Sequence, residues 1–213
     1  MSMNNFMDEQ NINSDTSAKS AAQWTDEGNL LYESRHYEQA LAAFECAIQL
    51  DPGNTVAHCG KAISLNGLGR YEQALTAYTC AILLDPHYAY AYSSMGMTLF
   101  ALSRYTEAVD AFQQAILLDP NDPVAYCSLG NALSELKSYE EAILAYKRAI
   151  ELEPYSATTY SNLGLLLEEM QNYPEALQAH EHAIQIEPYK AIHHYNKGIV
   201  LERLKASEEA NRS

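Results

Sequence analysis

Small and apolar residues recur at helical spacing along the chain, and the segment from Tyr71 to Pro86 shows the pattern in full. Its apolar positions lie three, four or seven residues apart and so share one helical face: Ala74, Leu75, Tyr78, Ala81 and Ile82. Proline lacks an amide N–H and its ring clashes with the preceding turn, so Pro86 predicts that the helix ends by Asp85. The segment therefore predicts one amphipathic helix with a buried apolar face.

This segment is repeated with a period of 34 residues. Two sets of residues mark the period: Pro52, Pro86, Pro120, Pro154 and Pro188, and Tyr37, Tyr71, Tyr105, Tyr139 and Tyr173. Alanines follow the same step at 40, 74, 108, 142 and 176 and again at 47, 81, 115, 149 and 183. An unbroken period of this length predicts helical hairpins stacked in a row, in which each unit contacts only its neighbours.

The eighth residue of each unit is small, and an aromatic residue or histidine precedes it by four places. The small residues are Gly28, Ala62, Gly96, Gly130, Gly164 and Gly198. Glycine inside a helix costs about 1 kcal/mol relative to alanine. We therefore expect a neighbouring helix to approach closely at these positions.

A period of 34 residues with these small residues, alanines and a closing proline resembles the tetratricopeptide repeat, a helix-turn-helix unit. The resemblance covers residues 21 to about 205 and implies an all-α fold, a right-handed superhelical solenoid of antiparallel helix pairs. The implied repeats are 21–54, 55–88, 89–122, 123–156 and 157–190. Residues 191–213 would form a capping helix, from Ala191 to about Leu204, and a polar tail. Residues 1–20 have no helical or strand period and are expected to be a disordered or loosely docked polar tail.

The charge of the chain and its cysteines restrict the kinds of partner and the cellular compartment that we expect. Thirteen Lys and Arg against 28 Asp and Glu give a net charge of −15, which argues against a nucleic acid or an anionic membrane as the main partner. The sequence contains no apolar run long enough to span a bilayer, and Met1–Ser20 lacks the features of a signal peptide, so we expect a cytoplasmic protein. The four cysteines are too widely spaced along the array to pair and are expected to be reduced thiols.

No pattern in the chain points to catalysis. Phosphate-binding loops, nucleophile elbows and oriented Cys/His pairs are missing from the sequence. His180 occupies the place of Phe44, Tyr78, Phe112 and Tyr146 and is interpreted as an aromatic substitute in the core, not as a metal ligand. We expect no enzymatic activity, no cofactor and no metal site.

The resemblance implies a binding groove, since in the family the first helix of each repeat lines the concave wall. The implied groove residues are Asn29, Cys59, Gly60, Ile63, Tyr90, Ser93, Met97, Phe100, Cys127, Asn131, Ser161, Asn162 and Leu165. Some of them could instead pack between neighbouring first helices. Tyr90, Met97 and Phe100, beside a depression at Gly60, are the expected hot spot.

Two functions follow from this groove. The first is a non-catalytic adaptor that binds a peptide or helix of another protein, with apolar anchors and basic flanks that match acidic residues at the rim, such as Glu135 and Glu169. The alternative is a self-assembling scaffold, a homo-oligomer formed through solenoid ends or tail insertion.

Overall fold

The computed structural model describes residues 19–212, and this part of the chain consists of eleven α-helices joined by short turns. The helices are α1 (Ala21–Glu33), α2 (Tyr37–Leu50), α3 (Thr55–Gly67), α4 (Tyr71–Leu84), α5 (Ala89–Ala101), α6 (Tyr105–Leu118), α7 (Pro123–Glu135), α8 (Tyr139–Leu152), α9 (Ala157–Glu169), α10 (Tyr173–Ile186) and α11 (Ala191–Arg212). Of the tail predicted at residues 1–20, residues 1–18 lie outside the described residues, and Ser20 is the N-cap residue of α1.

The helices pack as consecutive pairs. We call α1, α3, α5, α7, α9 and α11 the first helices and α2, α4, α6, α8 and α10 the second helices. Each first helix packs on the second helix that follows it, and each pair packs only on adjacent pairs. Successive first helices contact one another, whereas no contact joins successive second helices within residues 19–212. The first helices therefore form the inner wall of a curved array, and the prediction of an all-α solenoid of helix pairs is confirmed.

The turn within each pair repeats the same backbone conformation. One residue in every turn has φ between 58° and 72°, in the left-handed region: Arg35, Gly69, Ser103, Lys137 and Gln171. The following N–H donates to a carbonyl five residues back, as from Arg104 to Leu99 at 2.9 Å. This is the Schellman arrangement, which satisfies carbonyls at the end of the first helix and reverses the chain.

Side chains cap several of the first helices. Ser20 and Gln23 form a capping box at the start of α1. Asn54 and Asp122 accept backbone N–H groups at the starts of α3 and α7. Ser156 stands at the N-cap of α9 but makes no cap hydrogen bond, because its hydroxyl accepts from Thr159 instead.

A ring from each second helix fills the interior of its pair. These rings are 0 to 2% exposed and belong to Phe44, Tyr78, Phe112, Tyr146 and His180. They explain the glycines of the first helices, since a Cβ added at Gly28, Gly96, Gly130 or Gly164 would lie 2.6 to 2.7 Å from the nearest ring atom. The close approach predicted from the glycine spacing is confirmed at these four glycines, and it is wrong at Gly198, where no described residue lies within 4 Å of an added Cβ.

The expected depression at Gly60 does not exist. The Phe44 ring lies between Gly28 of its own pair and Gly60 of the next, and a Cβ at Gly60 would come even closer to this ring than one at Gly28. Because the ring occupies the space that Gly60 provides, no partner side chain can enter there. Gly60 is a packing residue between repeats.

The last helix is longer than expected, because α11 continues past Leu204 to Arg212. The segment from Lys205 to Arg212 contains neither glycine nor proline and is rich in Lys, Ala, Glu and Arg, which favour helix. The reversing turn that ends each of the other first helices is not formed at Lys205.

Substitution Gly60→Ala should destabilise the protein by about 1 to 3 kcal/mol, although alanine favours helix, because the Phe44 ring cannot retreat from Gly60 without meeting Gly28. Gly198→Ala is the matched control. Within residues 19–212 no atom lies within 4 Å of a Cβ added at Gly198, so alanine there should stabilise the protein by up to about 1 kcal/mol. Urea denaturation of both variants measures the difference, and equal effects would contradict this account of the glycines.

His180 predicts a pH dependence of stability. Burial and the neighbouring His193 lower the pKa of His180, and neither of its ring nitrogens has a hydrogen-bond partner within residues 19–212. The imidazole of His180 binds a proton more readily in the unfolded chain than in the folded protein. The contribution of neutral His180 to stability is therefore fully present above the unfolded imidazole pKa of about 6.5, and it is lost as the pH falls through the lower pKa of the folded protein.

The free energy of unfolding should therefore fall less between about pH 7 and pH 5 in His180→Phe than in the wild type. The fall should be smaller by about 1.4 kcal/mol for each unit by which the pKa of His180 differs between the unfolded and the folded protein. The control is His182→Phe, since His182 is exposed and stacks on Tyr160 at a centroid distance of 5.0 Å. Urea midpoints measured across this range test the prediction, and it is wrong if the two variants show the same pH profile.

Candidate functional site

The inner wall contains two hollows that meet at α5. The N-terminal hollow, of about 310 Å³, is lined by Tyr32, Ile63, Asn66, Gly67, Tyr71, Tyr78, Tyr90, Ser94, Met97, Thr98 and Ala101. The C-terminal hollow, of about 350 Å³, is lined by Phe100, Asn131, Ser134, Glu135, Tyr146, Asn162, Leu165, Leu166 and Glu169. Met97 in the first and Phe100 in the second lie one helical turn apart, so the hollows adjoin.

The N-terminal hollow offers exposed apolar surface around one oriented amide. Tyr90 is 54% exposed and Met97 is 45% exposed, and the two lie two helical turns apart on α5. The Asn66 amide nitrogen donates to the Tyr78 hydroxyl at 3.1 Å and to the Thr98 hydroxyl at 2.7 Å. Its carbonyl oxygen is buried and has no hydrogen-bond partner among the described residues.

The C-terminal hollow contains a second oriented amide. The Asn131 carbonyl oxygen accepts from the Tyr146 hydroxyl at 2.7 Å and from the Asn162 amide at 2.9 Å. These two donors set the orientation of the Asn131 side chain, whose amide nitrogen has no partner within residues 19–212. With Glu135 and Glu169 in the same lining, this hollow can accept basic groups and donate to a carbonyl oxygen.

The cysteines near the wall are not activated as nucleophiles. Burial raises the pKa of Cys59 to about 12, and burial also raises the pKa of Cys127. Both thiols are therefore protonated at neutral pH, whereas a reactive cysteine needs a lowered pKa. All four cysteines of the chain are free thiols.

The structure divides the predicted groove residues into three sets. Seven line the hollows: Ile63, Tyr90, Met97, Phe100, Asn131, Asn162 and Leu165. Four are buried between helices and present no surface to a ligand: Cys59, Gly60, Ser93 and Ser161. The other two border the hollows without lining them: exposed Asn29 and half-buried Cys127, which accepts a long hydrogen bond of 3.8 Å from Asn162.

The groove prediction omitted three tyrosines of the second helices. Tyr71, Tyr78 and Tyr146 reach the hollows from behind the first helices, and the hydroxyls of the last two bind Asn66 and Asn131. A sequence signal existed, because tyrosine alternates with phenylalanine at the ring position of the first four repeats. A hydroxyl on a buried ring needs a hydrogen-bond partner, which the inner wall supplies.

The described part of the chain contains neither a metal-binding group nor a membrane-spanning helix. Among residues 19–212, no three His, Cys, Asp or Glu side chains are grouped so that they could hold a metal ion. None of the helices described combines the length and apolar character needed to cross a bilayer.

Asn131→Ala should destabilise the protein by about 1 to 3 kcal/mol, because the Tyr146 and Asn162 donors would lose their acceptor in a half-buried site. Asn29→Ala is the matched control, since exposed Asn29 holds the same place in the first repeat and should change stability by no more than about 0.5 kcal/mol. Urea denaturation compares the two variants, and a neutral Asn131→Ala would show that the network does not contribute to folding.

Solved structures with this arrangement of helices are similar over most of the chain. YrrB, described as a TPR protein with an unusual peptide-binding site, is 24% identical with a TM-score of 0.69 over 84% of this chain and 92% of that chain. PilF of Pseudomonas aeruginosa is 19% identical with a TM-score of 0.78 over 90% and 87%. MamA of Desulfovibrio magneticus RS-1 is 20% identical with a TM-score of 0.73 over 80% and 96%. These similarities show the fold.

Comparison with curated proteins finds no significant match. Family models do match the sequence. A model described as TPR repeat matches residues 96–137 and 130–171, and two described as tetratricopeptide repeat match residues 25–89 and 157–190. Together with the fold, these matches show that the chain belongs to the tetratricopeptide repeat family.

Proposed function

We propose that this protein is a non-enzymatic adaptor whose inner wall binds a segment of another protein that carries apolar anchors flanked by Lys or Arg. The tetratricopeptide repeat is a protein-interaction module, and the similar structure of YrrB is described as having a peptide-binding site. The observation that carries the proposal is the pair of adjoining hollows on the inner wall.

The apolar anchors are the first element of recognition. Tyr90, Met97 and Leu165 are 54%, 45% and 47% exposed and line the two hollows, although nearby apolar side chains are buried. Aromatic residues and methionine contribute strongly to interfaces because they bury large areas and adapt to irregular surfaces. A partner side chain that covers them would exclude water from the centre of the site.

The oriented amides are the second element. Asn131 has an amide nitrogen without a partner within the described residues, and this nitrogen offers a donor that suits the C=O group of a peptide backbone. The carbonyl oxygen of Asn66 is buried, so this side chain shapes the wall of the N-terminal hollow and offers no acceptor at its surface. Because protein neighbours already fix both amides, binding would cost little side-chain entropy.

Charge is the third element. The C-terminal hollow is lined by Glu135 and Glu169 and by no basic residue, on a chain with a net charge of −15. Basic flanks on the partner would be attracted to this hollow, most strongly at low salt, so they favour fast association and the correct orientation.

The test compares two double variants as bait in affinity capture from a cell lysate, with mass spectrometry as the readout. Tyr90→Ala with Leu165→Ala should reduce specifically captured protein at least tenfold, since truncation of hot-spot residues costs about 2 kcal/mol each. Tyr189→Ala with Leu83→Ala is the control, because these residues are 98% and 76% exposed outside the hollows.

The control variant should capture the same proteins as the wild type. The proposal would be rejected if both double variants retained the capture, or if both lost it. Circular dichroism of the two variants confirms that neither change unfolds the array.

A further inference from the structure

One face of α11 is open, although the corresponding face of the other first helices is covered. We call it the open face of α11 and define it by Ala191, Tyr195, Gly198 and Leu201, which lie three or four residues apart on one side of the helix. All four are exposed, Tyr195 at 65% and Leu201 at 44%. None of the described residues lies within 4 Å of a Cβ added at Gly198.

The places of Gly198 and Leu201 are buried in most earlier repeats. The residues that correspond to Leu201 are only 1 to 6% exposed in four of them: Leu65, Leu99, Leu133 and Leu167. The residues that correspond to Gly198 include Gly96, Gly130 and Gly164, each in close contact with a ring of its own second helix. The open face of α11 therefore has the features of a helix-binding surface. In the five helix pairs of the same molecule, a second helix covers the equivalent surface of the first helix.

The open face is held rigidly in place from behind. The opposite side of α11 packs on α10 and buries His193, Asn196 and Val200 at 2%, 6% and 0% exposure. His193 Nε2 also lies 2.9 Å from a Glu187 carboxylate oxygen. A docked helix would meet a surface already in the position that a first helix takes in a complete repeat.

The other repeats show what fits this surface. Each second helix carries an aromatic residue or histidine with an alanine one place before it and another three places after it, as Tyr146 is flanked by Ala145 and Ala149 on α8. Each also has glutamate in its first turn. An antiparallel helix on α11 would begin beside exposed Lys205, which favours such a glutamate.

A second copy of this chain does not supply that helix. Its own five rings of this type are 0 to 2% exposed, so donating a second helix would require unfolding a repeat. We propose that the open face of α11 is a docking site, separate from the inner wall, for a helix of another protein that resembles this chain's own second helices: an aromatic residue flanked by alanines, with glutamate in the first turn.

The probe for this site is a fluorescein-labelled peptide with the sequence of residues 139–152, the α8 helix. Fluorescence anisotropy should show saturable binding to the protein, and a peptide with Tyr146→Ala should bind at least tenfold more weakly. The variant Gly198→Leu should abolish binding, because the leucine fills the space of the ring. It should also fold normally, because that space is empty in the free protein.

Arg203→Leu is the matched control, since Arg203 is 62% exposed on another side of α11 and the change should leave binding unaltered. Leu201→Lys is a second variant that should weaken binding at least tenfold without entering the ring space. Circular dichroism and thermal melting confirm that the variants are folded.

Three outcomes would overturn the inference. The first is that no binding is seen at about 1 mM peptide, which is the weak end of measurable affinity. The second is that Gly198→Leu binds the peptide as well as the wild type does, and the third is that the Tyr90→Ala and Leu165→Ala variant loses binding whereas Gly198→Leu keeps it. The last would place the peptide on the inner wall. Rejection of the inner wall as a binding surface would leave this test unaffected.

Discussion

Contact between a ring of a second helix and a glycine of a first helix sets the helix spacing in four of the five pairs, and Ala62 takes the place of the glycine in the other pair. At Gly96 and Gly130 the ring occupies the position where a Cβ would be, so the two helices can approach only because glycine stands there. Glycine weakens a helix by about 1 kcal/mol, and burial of an aromatic ring offsets that loss. Because the ring position recurs every 34 residues, successive pairs pack alike along the array.

The same rings connect the core to the inner wall. Where the ring is tyrosine, its hydroxyl passes between first helices and holds an asparagine of the inner wall, as Tyr146 holds Asn131. Where the ring is phenylalanine, as at Phe44 and Phe112, no such bond is possible. The oriented amides therefore occur in alternate repeats, and the orientation of these amides on the inner wall depends on tyrosines whose rings are buried in the core. Substitutions that change these tyrosines would affect folding and binding together, so the two must be measured separately.

Sequence periodicity predicted most of the fold but less of the site. The helices, the turns and the close approach at the glycines follow from local pattern and steric rules, which act within one repeat. Gly60 could not be interpreted in this way, because the ring that fills its space belongs to the preceding repeat. The burial of Cys59 and Ser93 also depends on the packing of adjacent first helices. The extension of α11 was missed because the ladder of repeats suggested a turn at Lys205, whereas the local residues favour helix.

A stacked array has a surface at each end that a globular domain does not have. Within residues 19–212, every interior first helix is covered on both sides, whereas the terminal ones have one side uncovered: Leu30 on α1 is 64% exposed, and the open face of α11 exposes Leu201. The two sites proposed for this molecule, the inner wall and the open face, would therefore suit different ligands. The inner wall presents separate hollows and fixed amides, which suit a segment that meets them one side chain at a time. The open face presents one continuous helical stripe with a gap the size of a ring, and only a helix with the correct spacing of small and aromatic residues can bury it.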